Sequence, residues 1–214
     1  MFLKIDMRKG IFITFEGIDG SGKTSLSQLV FDRLIELNCK GIHTFEPTDT
    51  FLGNSIRDII LLSEEKLNPY QQVFLFTADR ISHFLWIQQK LHEFEFVICD
   101  RFIHSTLAYQ GIDEKIRESI YTIHNLCLKD YEPDIVFLLD IEPEISLQRI
   151  QQSEKDNFEK VEFLTGVRAR YLEIADAFPK TFIKLDGNLP INKLLEIVLE
   201  ELRKRFGFFN GGKE

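Results

Sequence analysis

A chain of 214 residues with 44% hydrophobic and 28% charged residues has the material for one globular core. A net charge of −8 argues against a nucleic-acid groove, which needs a basic face, but leaves room for a small phosphorylated ligand held by a few local cations. The three cysteines, Cys39, Cys99 and Cys127, are scattered and form no C-x-x-C, so neither a disulfide framework nor a zinc site is suggested, and a reducing, cytoplasmic setting fits.

Met1–Lys9 reads as a short extension without a signal-peptide core. Nowhere does an apolar run reach the ~18 residues of a membrane span. Ile11–Phe15, IFITF, is β-branched and aromatic, the mark of a buried strand. Gly17, Gly22, Lys23 and Thr24 then fit G-x-x-x-x-G-K-[ST], and an apolar-periodic helix follows through Leu26, Leu29, Val30, Leu34 and Leu37. Glycines let consecutive backbone N–H groups close on phosphate oxygens at a helix start. Gly17, Ile18, Asp19, Gly20, Ser21, Gly22, Lys23, Thr24 and Ser25 are therefore the candidate ATP-phosphate cradle. Lys23 would reach the outer phosphates and the Thr24 hydroxyl would ligate Mg²⁺.

Ile42–Phe45 is a short strand ending in Glu46-Pro47-Thr48; Pro47 disfavours helix at its predecessor. Phe51–Leu62 and Asn68 to about Leu91 are predicted helices. Phe94–Cys99 is a buried strand ended by Asp100-Arg101, and Ser105–Gln110 is less regular. Glu114–Cys127 is a helix, Asp134–Leu139 a strand ended by Asp140, and Pro143–Gln151 a helix. Gln152–Asn157 lacks an apolar anchor and is expected to be mobile. A helix over Phe158–Phe178, a strand over Thr181–Leu185, the Asp186-Gly187-Asn188 turn and a helix over Pro190–Phe206 complete the chain.

Strands apolar on both faces, alternating with helices, predict an α/β fold of the P-loop NTPase type. This is a three-layer sandwich in which a five-stranded parallel sheet is covered by helices on both faces. One domain is expected over 1–214, with an N-terminal extension at 1–10, a mobile lid at about 150–160 and a frayed tail at 207–214. Ligands in such sheets bind beyond the carboxyl ends of the strands. Glu46, Asp100-Arg101, Asp140 and Asp186 all stand there.

The phosphate loop alone does not choose between a switch, a motor and a transferase. A guanine-reading N/T-K-x-D motif is absent. A kinase acting on a phosphorylated acceptor needs a second anion site, for which Arg57, Arg80 and Arg101 are candidates. Phe76 and Arg80 are four apart and share a helix face, an aromatic beside a guanidinium suited to a base and its phosphate. Alternatively, Arg80 is a surface partner of Asp79 or His83.

FEGIDGSGKT (Phe15–Thr24), EPT with the later IR (Glu46–Arg57), FTADR (Phe76–Arg80), DR with S and AYQG (Asp100–Gly111), Pro133–Arg149 and VRARYLE (Val167–Glu173) occur jointly and in order. Through them the chain resembles the thymidylate kinases, which phosphorylate dTMP with ATP and Mg²⁺. The resemblance implies that Phe76 stacks on thymine, that Arg80 binds the base edge and that Thr106 adds a polar contact. Arg101 would hold the acceptor phosphate with help from Arg57. Asp19 would lie at the 3′-hydroxyl, and Tyr109 would pack under a deoxyribose. Asp100 would join the Mg²⁺ shell through water. Arg149 would lie along the adenine of ATP, with the Asp186 turn beside it. Glu46 and Pro47 would border the acceptor, Glu46 as substrate or metal contact or as a turn residue. A homodimer is also implied, with the Asn68–Leu91 helix as one contact face.

Other polar positions have simpler readings. Ser105 orients its loop; His104 is a polar loop residue; Asp140 braces a strand end; Arg168 and Arg170 are helix-surface charges, or one braces the lid. Two rivals stand beside the main reading. One is a nucleotide or nucleoside kinase with another acceptor, such as dUMP. The other is a P-loop ATP-binding protein of weak catalytic power.

The chain departs from the family pattern in four places, one being Thr48-Asp49-Thr50 where a Gly-Gly-Thr-like stretch would stand, so that loop is expected to differ in shape. The loop interior, Ile18-Asp19-Gly20-Ser21, has no basic residue; Asn157 stands where a lid arginine would be; and Phe45 replaces an arginine common before Glu-Pro. Lys155, with Arg149, is the candidate to supply the missing charge. Lys155→Ala is expected to lower turnover at saturating substrates by about tenfold, as for loss of one transition-state cation. Full turnover would remove Lys155 from this role.

Overall fold

The computed structural model describes residues 10–62, 67–128, 132–150 and 157–207. The expected extension up to residue 9, most of the lid including Lys155, and the tail from 208 on lie outside the described residues. Among the described residues the order is β1 (Ile11–Glu16), α1 (Lys23–Glu36), β2 (Gly41–Phe45), α2 (Phe51–Leu62), α3 (Pro69–Glu93), β3 (Phe96–Asp100), α4 (Ile103–Tyr109), α5 (Glu114–Cys127), β4 (Ile135–Asp140), α6 (Pro143–Arg149), α7 (Asn157–Ala177), β5 (Phe182–Asp186) and α8 (Ile191–Phe206).

The five strands form one sheet in the order β2-β3-β1-β4-β5, with every pairing parallel. Alternation sorts the side chains into two cores. On one face Ile13, Phe15, Ile98 and Phe137 meet Leu26, Val30 and Leu34 of α1 and Leu194, Val198 and Leu202 of α8. On the other, Phe12, Val97, Val136 and Leu138 meet residues of α3, α4, α5 and α7. Both faces are apolar because both are covered, which makes the strands legible as continuous hydrophobic runs. Phe12, Phe84 and Phe102 form one aromatic group, with Phe12 and Phe102 edge-to-face at 5.0 Å.

Register brings the functional ends together. Asp100 of β3 pairs with Phe15 on one side and Phe45 on the other, so the ends of β1, β2 and β3 are level. Asp140 and Asp186 are partners across β4 and β5.

Several boundaries shift by a residue or two, and two departures from expectation have a clear physical cause. Strand β3 begins at Phe96, because Phe94 caps α3 through its N–H on Lys90, and Glu95 N–H bonds to Lys40 instead. The segment read as irregular is helix α4; with Ile103, His104, Thr106, Leu107 and Ala108 all buried, no polar face betrays its period.

Phe137 is fully buried and stacks on Phe15 at 5.2 Å between the central strands. Phe137→Ala is expected to cost about 3–5 kcal/mol, the usual range for emptying a large aromatic site. Urea unfolding checks this as a lowered midpoint at unchanged m-value.

Candidate active site

After β1 the chain turns through Gly17 (φ 147°), Gly20 (φ 77°) and Gly22 (φ 92°), a run only glycine adopts cheaply. Space matters as well: a Cβ on Gly20 would lie 2.5 Å from the Ser146 carbonyl, and one on Gly17 2.8 Å from that of Leu139. Gly22 caps α1, whose first turn carries no acidic residue, so its free N–H groups keep their attraction for an anion. The loop is tied from outside by the Ser146 hydroxyl, which donates to the Asp19 carbonyl.

Lys23 is buried, with Nζ donating to Ile18 O at 3.3 Å and lying 3.9 Å from Asp19. Burial, reinforced by the Arg101 charge, pushes its amine down to about 8. The Thr24 hydroxyl donates to Asp100 Oδ2. Asp100 Oδ1 is buried and has no hydrogen-bond partner among the described residues. A buried unpaired carboxylate oxygen beside a hydroxyl suits a hard cation. Among the described residues no group of three or more His, Cys, Asp or Glu side chains could hold a metal. A cation here would therefore draw its remaining ligands from water and phosphate, as Mg²⁺ usually does.

Beside the loop opens a cleft of about 490 Å³. Its walls contain all ten residues expected around the acceptor: Asp19, Glu46, Pro47, Arg57, Phe76, Arg80, Arg101, Ser105, Thr106 and Tyr109. Ile60, Gln72, Gln110 and Phe163 line it too. Gln110 donates to Gln72 at 2.9 Å, and Phe163 meets the Tyr109 ring at 6.1 Å. Sequence reasoning did not single out these four. Gln110 lay inside a quoted motif without a role, and the other three are ordinary helix positions that only packing brings to the cleft.

The three arginines are held differently. Arg101 follows β3 in a left-handed conformation, φ 69°. Its Nη1 donates to Gly17 O at 3.2 Å and Ser105 Oγ at 3.0 Å, its Nη2 to Asp19, and its guanidinium lies 5.2 Å from the Tyr109 ring centre. Burial alone would raise the Asp19 carboxyl, but the Arg101 and Lys23 charges hold it below the usual range. The Tyr109 hydroxyl accepts from Asp19 N–H at 3.1 Å.

Arg80 is 2% exposed, which rules out a surface partner for it. Its Nε donates to Glu46 at 2.7 Å and its Nη2 to Phe102 O at 3.3 Å, over the Phe102 ring. His124 bonds Ile120 O through Nδ1 at 2.7 Å, leaving Nε2 to accept from Arg80 at 3.1 Å. Asp79 instead holds Thr48, through its N–H at 2.8 Å and its hydroxyl at 2.6 Å. Glu46 is a buried carboxylate shared between Arg80 and His83, not an open turn residue. Arg57 donates to the Pro47 and Thr48 carbonyls and to Asn54, and stacks 5.8 Å from the Phe45 ring centre.

On the loop's other side Arg149 bridges Ser21 O at 3.4 Å and Gly187 O at 3.0 Å. The Asp186 carboxylate accepts from Asn188 N–H and Nδ2, closing that turn. Arg168 is no free surface charge: it grips Asp140 in two bonds of 2.6 and 3.1 Å and pairs with Glu142. Arg170 donates to Ala108 O. His104 is a buried residue of α4, edge-on to Phe182 at 4.8 Å, rather than a loop residue. Glu16, which closes β1, was also passed over; a carboxylate ending an otherwise apolar strand was the available signal. It is fully buried and accepts from Phe102 N–H, Ser105 and Tyr171.

Residues 15–198 match the family model described as thymidylate kinase. The chain is 39% identical over 197 residues to a thymidylate kinase of Chlamydia caviae, covering 88% of this chain and 95% of that protein. It is 34% identical to one of Clostridium novyi over 90% of this chain and 98% of that protein. Among solved structures, a thymidylate kinase from Ehrlichia chaffeensis superposes with a TM-score of 0.74 at 33% identity, covering 91% of this chain and 98% of that one.

Two buried histidines near Arg80 make the fold acid-sensitive. Burial, helped by the Arg80 charge, lowers His104 to about 3 and His124 to about 4, against 6.5 in the unfolded chain. Both groups are depressed, so their contribution is complete above 6.5 and is lost as pH falls towards the folded values. Through that window each adds a slope of about 1.4 kcal/mol per pH unit, because only the unfolded chain takes the proton. His104→Phe is expected to lower the slope between pH 6 and 4.5 by up to about 1.4 kcal/mol per pH unit, read by urea midpoints against pH.

Proposed function

The chain belongs to the thymidylate kinase family and transfers a phosphoryl group from ATP to dTMP, giving ADP and dTDP; on that premise we propose how its residues divide the work. The observation that carries the assignment is Arg101. One guanidinium touches Gly17 and Asp19 of the phosphate loop and Ser105 and Tyr109 of the cleft, so a single cation borders both substrates.

The N–H groups from Gly17 to Ser25 take the donor phosphates, and Lys23 neutralises the outer ones. An amine lowered to about 8 keeps most of its charge at neutral pH, and phosphate beside it restores the rest. Arg149, between the loop and the Gly187 turn, borders the adenine, with the Asp186 turn beyond it. Thr24 and, through water, Asp100 would hold Mg²⁺, which fits the unpaired Asp100 Oδ1. When bound, the ion screens the charge between donor phosphates.

In the cleft Phe76 stacks on thymine, Arg80 and Thr106 meet its edge, and Tyr109 packs under the deoxyribose with Asp19 at its 3′-hydroxyl. Arg101 and Arg57 hold the acceptor phosphate. That phosphate is already a nucleophile near neutral pH, so the protein's task is alignment and charge neutralisation, not proton abstraction. Exposed Tyr70, Phe74 and Leu85 share one stripe of α3, which supports a homodimer through this helix. Three free cysteines support a reducing cytoplasmic location.

With ATP and Mg²⁺ the chain is expected to form dTDP from dTMP and to phosphorylate thymidine at least ~100-fold less efficiently, since Arg101 rewards only a phosphorylated acceptor. Arg101→Ala should lower kcat/KM for dTMP by about 10²–10³. Preference for thymidine, or ATP binding without any dTDP, would favour the rival readings. Product chromatography on parallel reactions makes the comparison.

A further inference from the structure

Glu16 is a buried ionisable group to which the reaction gives no direct role. Fully buried at the end of β1, it sits one residue before the loop's first glycine. Its Oε1 accepts from Phe102 N–H at 2.8 Å, and its Oε2 accepts from the hydroxyls of Ser105 at 2.6 Å and Tyr171 at 2.9 Å. Three donors on one buried carboxylate are more than a fold needs to close a strand. A hydrophobic residue here would pack without desolvating a charge.

The donors surround Arg101. Phe102 N–H is the peptide immediately after it, and Arg101 N–H is itself held by Phe15 O at 2.9 Å. The last two residues of β1 therefore grip the left-handed turn at Arg101 on both sides. A non-glycine residue in that conformation is disfavoured and persists only where its surroundings fix it. Ser105 has one hydroxyl hydrogen. With that hydrogen on Glu16, the oxygen accepts from Arg101 Nη1 at 3.0 Å and stands 2.8 Å from the Tyr171 hydroxyl, which shares the same carboxylate. Burial pushes the Glu16 carboxyl up, while Ser105 and the Arg101 charge oppose the rise.

We propose that Glu16 is a positioning residue for phosphoryl acceptance: through Phe102 N–H and Ser105 it fixes the backbone and the side chain of Arg101, so that the guanidinium waits preorganised for the acceptor phosphate. The inference rests on Arg101 being the acceptor-phosphate cation. It adds that this cation is aimed from the phosphate-loop strand, which ties the acceptor site to the donor site through one carboxylate.

Glu16→Gln separates this role from packing. The amide oxygen still serves Phe102 N–H, and with it the Phe102 carbonyl that Arg80 uses, but the charge and the acceptor for Ser105 are gone. Calorimetric titration of the full chain is expected to give about tenfold weaker dTMP binding with thymidine binding unchanged, as for loss of one charge-assisted link. In kinetics the KM for dTMP should rise while the KM for ATP holds. Ser105→Ala, which leaves the buried carboxylate in place, should give the same phosphate-selective loss even if Glu16→Gln does not fold. The double variant should lose no more than the larger single. Equal losses for dTMP and thymidine, or no loss in either variant, would overturn the assignment. Arg101→Ala tells the two failures apart. If it also leaves the advantage of dTMP over thymidine intact, the acceptor-phosphate reading itself falls. If it removes that advantage while Glu16→Gln and Ser105→Ala do not, only the positioning role falls.

Discussion

The position of one guanidinium, Arg101, joins the phosphate loop to the cleft, and much of the structure serves to hold it there. Arg101 sits at the level end of three strands, where Phe15, Asp100 and Phe45 are in register. The left-handed turn there throws the side chain back over Gly17 and Asp19 instead of onward along the strand. A shift of register by one residue would exchange the faces of every strand side chain and move Asp100 off Thr24. The sheet's two apolar cores are therefore also the alignment device: they set a register, and the register sets the distance between loop and cleft.

Charge within the site is arranged in layers. Arg101 pairs with Asp19 and Arg80 with Glu46, while Arg57 is held by backbone carbonyls and an amide oxygen. The difference has consequences. A cation resting on carbonyls keeps its full charge for an incoming phosphate, whereas one paired with a buried carboxylate is nearly neutral to its surroundings. Arg80, paired and fully enclosed, suits the uncharged edge of a base. Arg57 and Arg101 suit an anion, the latter because Asp19 is exposed on the loop and easily screened. The net charge of −8 thus coexists with a cleft whose unpaired charge is positive.

The sheet was legible chiefly through β1, β3 and β4, where parallel strands covered on both sides leave a nearly unbroken apolar run that ends in a charged residue. Helix α4 was not, because a seven-residue helix buried almost all round carries no polar period. The same contrast governs the site. Asp19, Arg80, Arg101 and Tyr109 belong to compact patterns with a chemical reason for each spacing. Ile60, Gln72 and Phe163 come from α2, α3 and α7, and they become neighbours only when these helices converge over the cleft. His104 and Arg168 were misjudged for one reason: an isolated polar residue says nothing of its burial or partner until packing decides both.

Phe45 carries this logic furthest. An apolar residue in place of an arginine beside an anion site reads as a loss of charge, and at 41% exposure it gains little from burial. In the fold its ring lies beneath the Arg57 guanidinium, whose edge is directed by two carbonyls and Asn54. At 5.8 Å from the ring centre the guanidinium lies over the ring face, which attracts the charge without neutralising it. On the role proposed for Arg57, the cleft keeps one oriented cation there, and an arginine at position 45 would have added a second beside it. The substitution changes the currency from amount of charge to its placement, which is the quantity that phosphoryl transfer depends on.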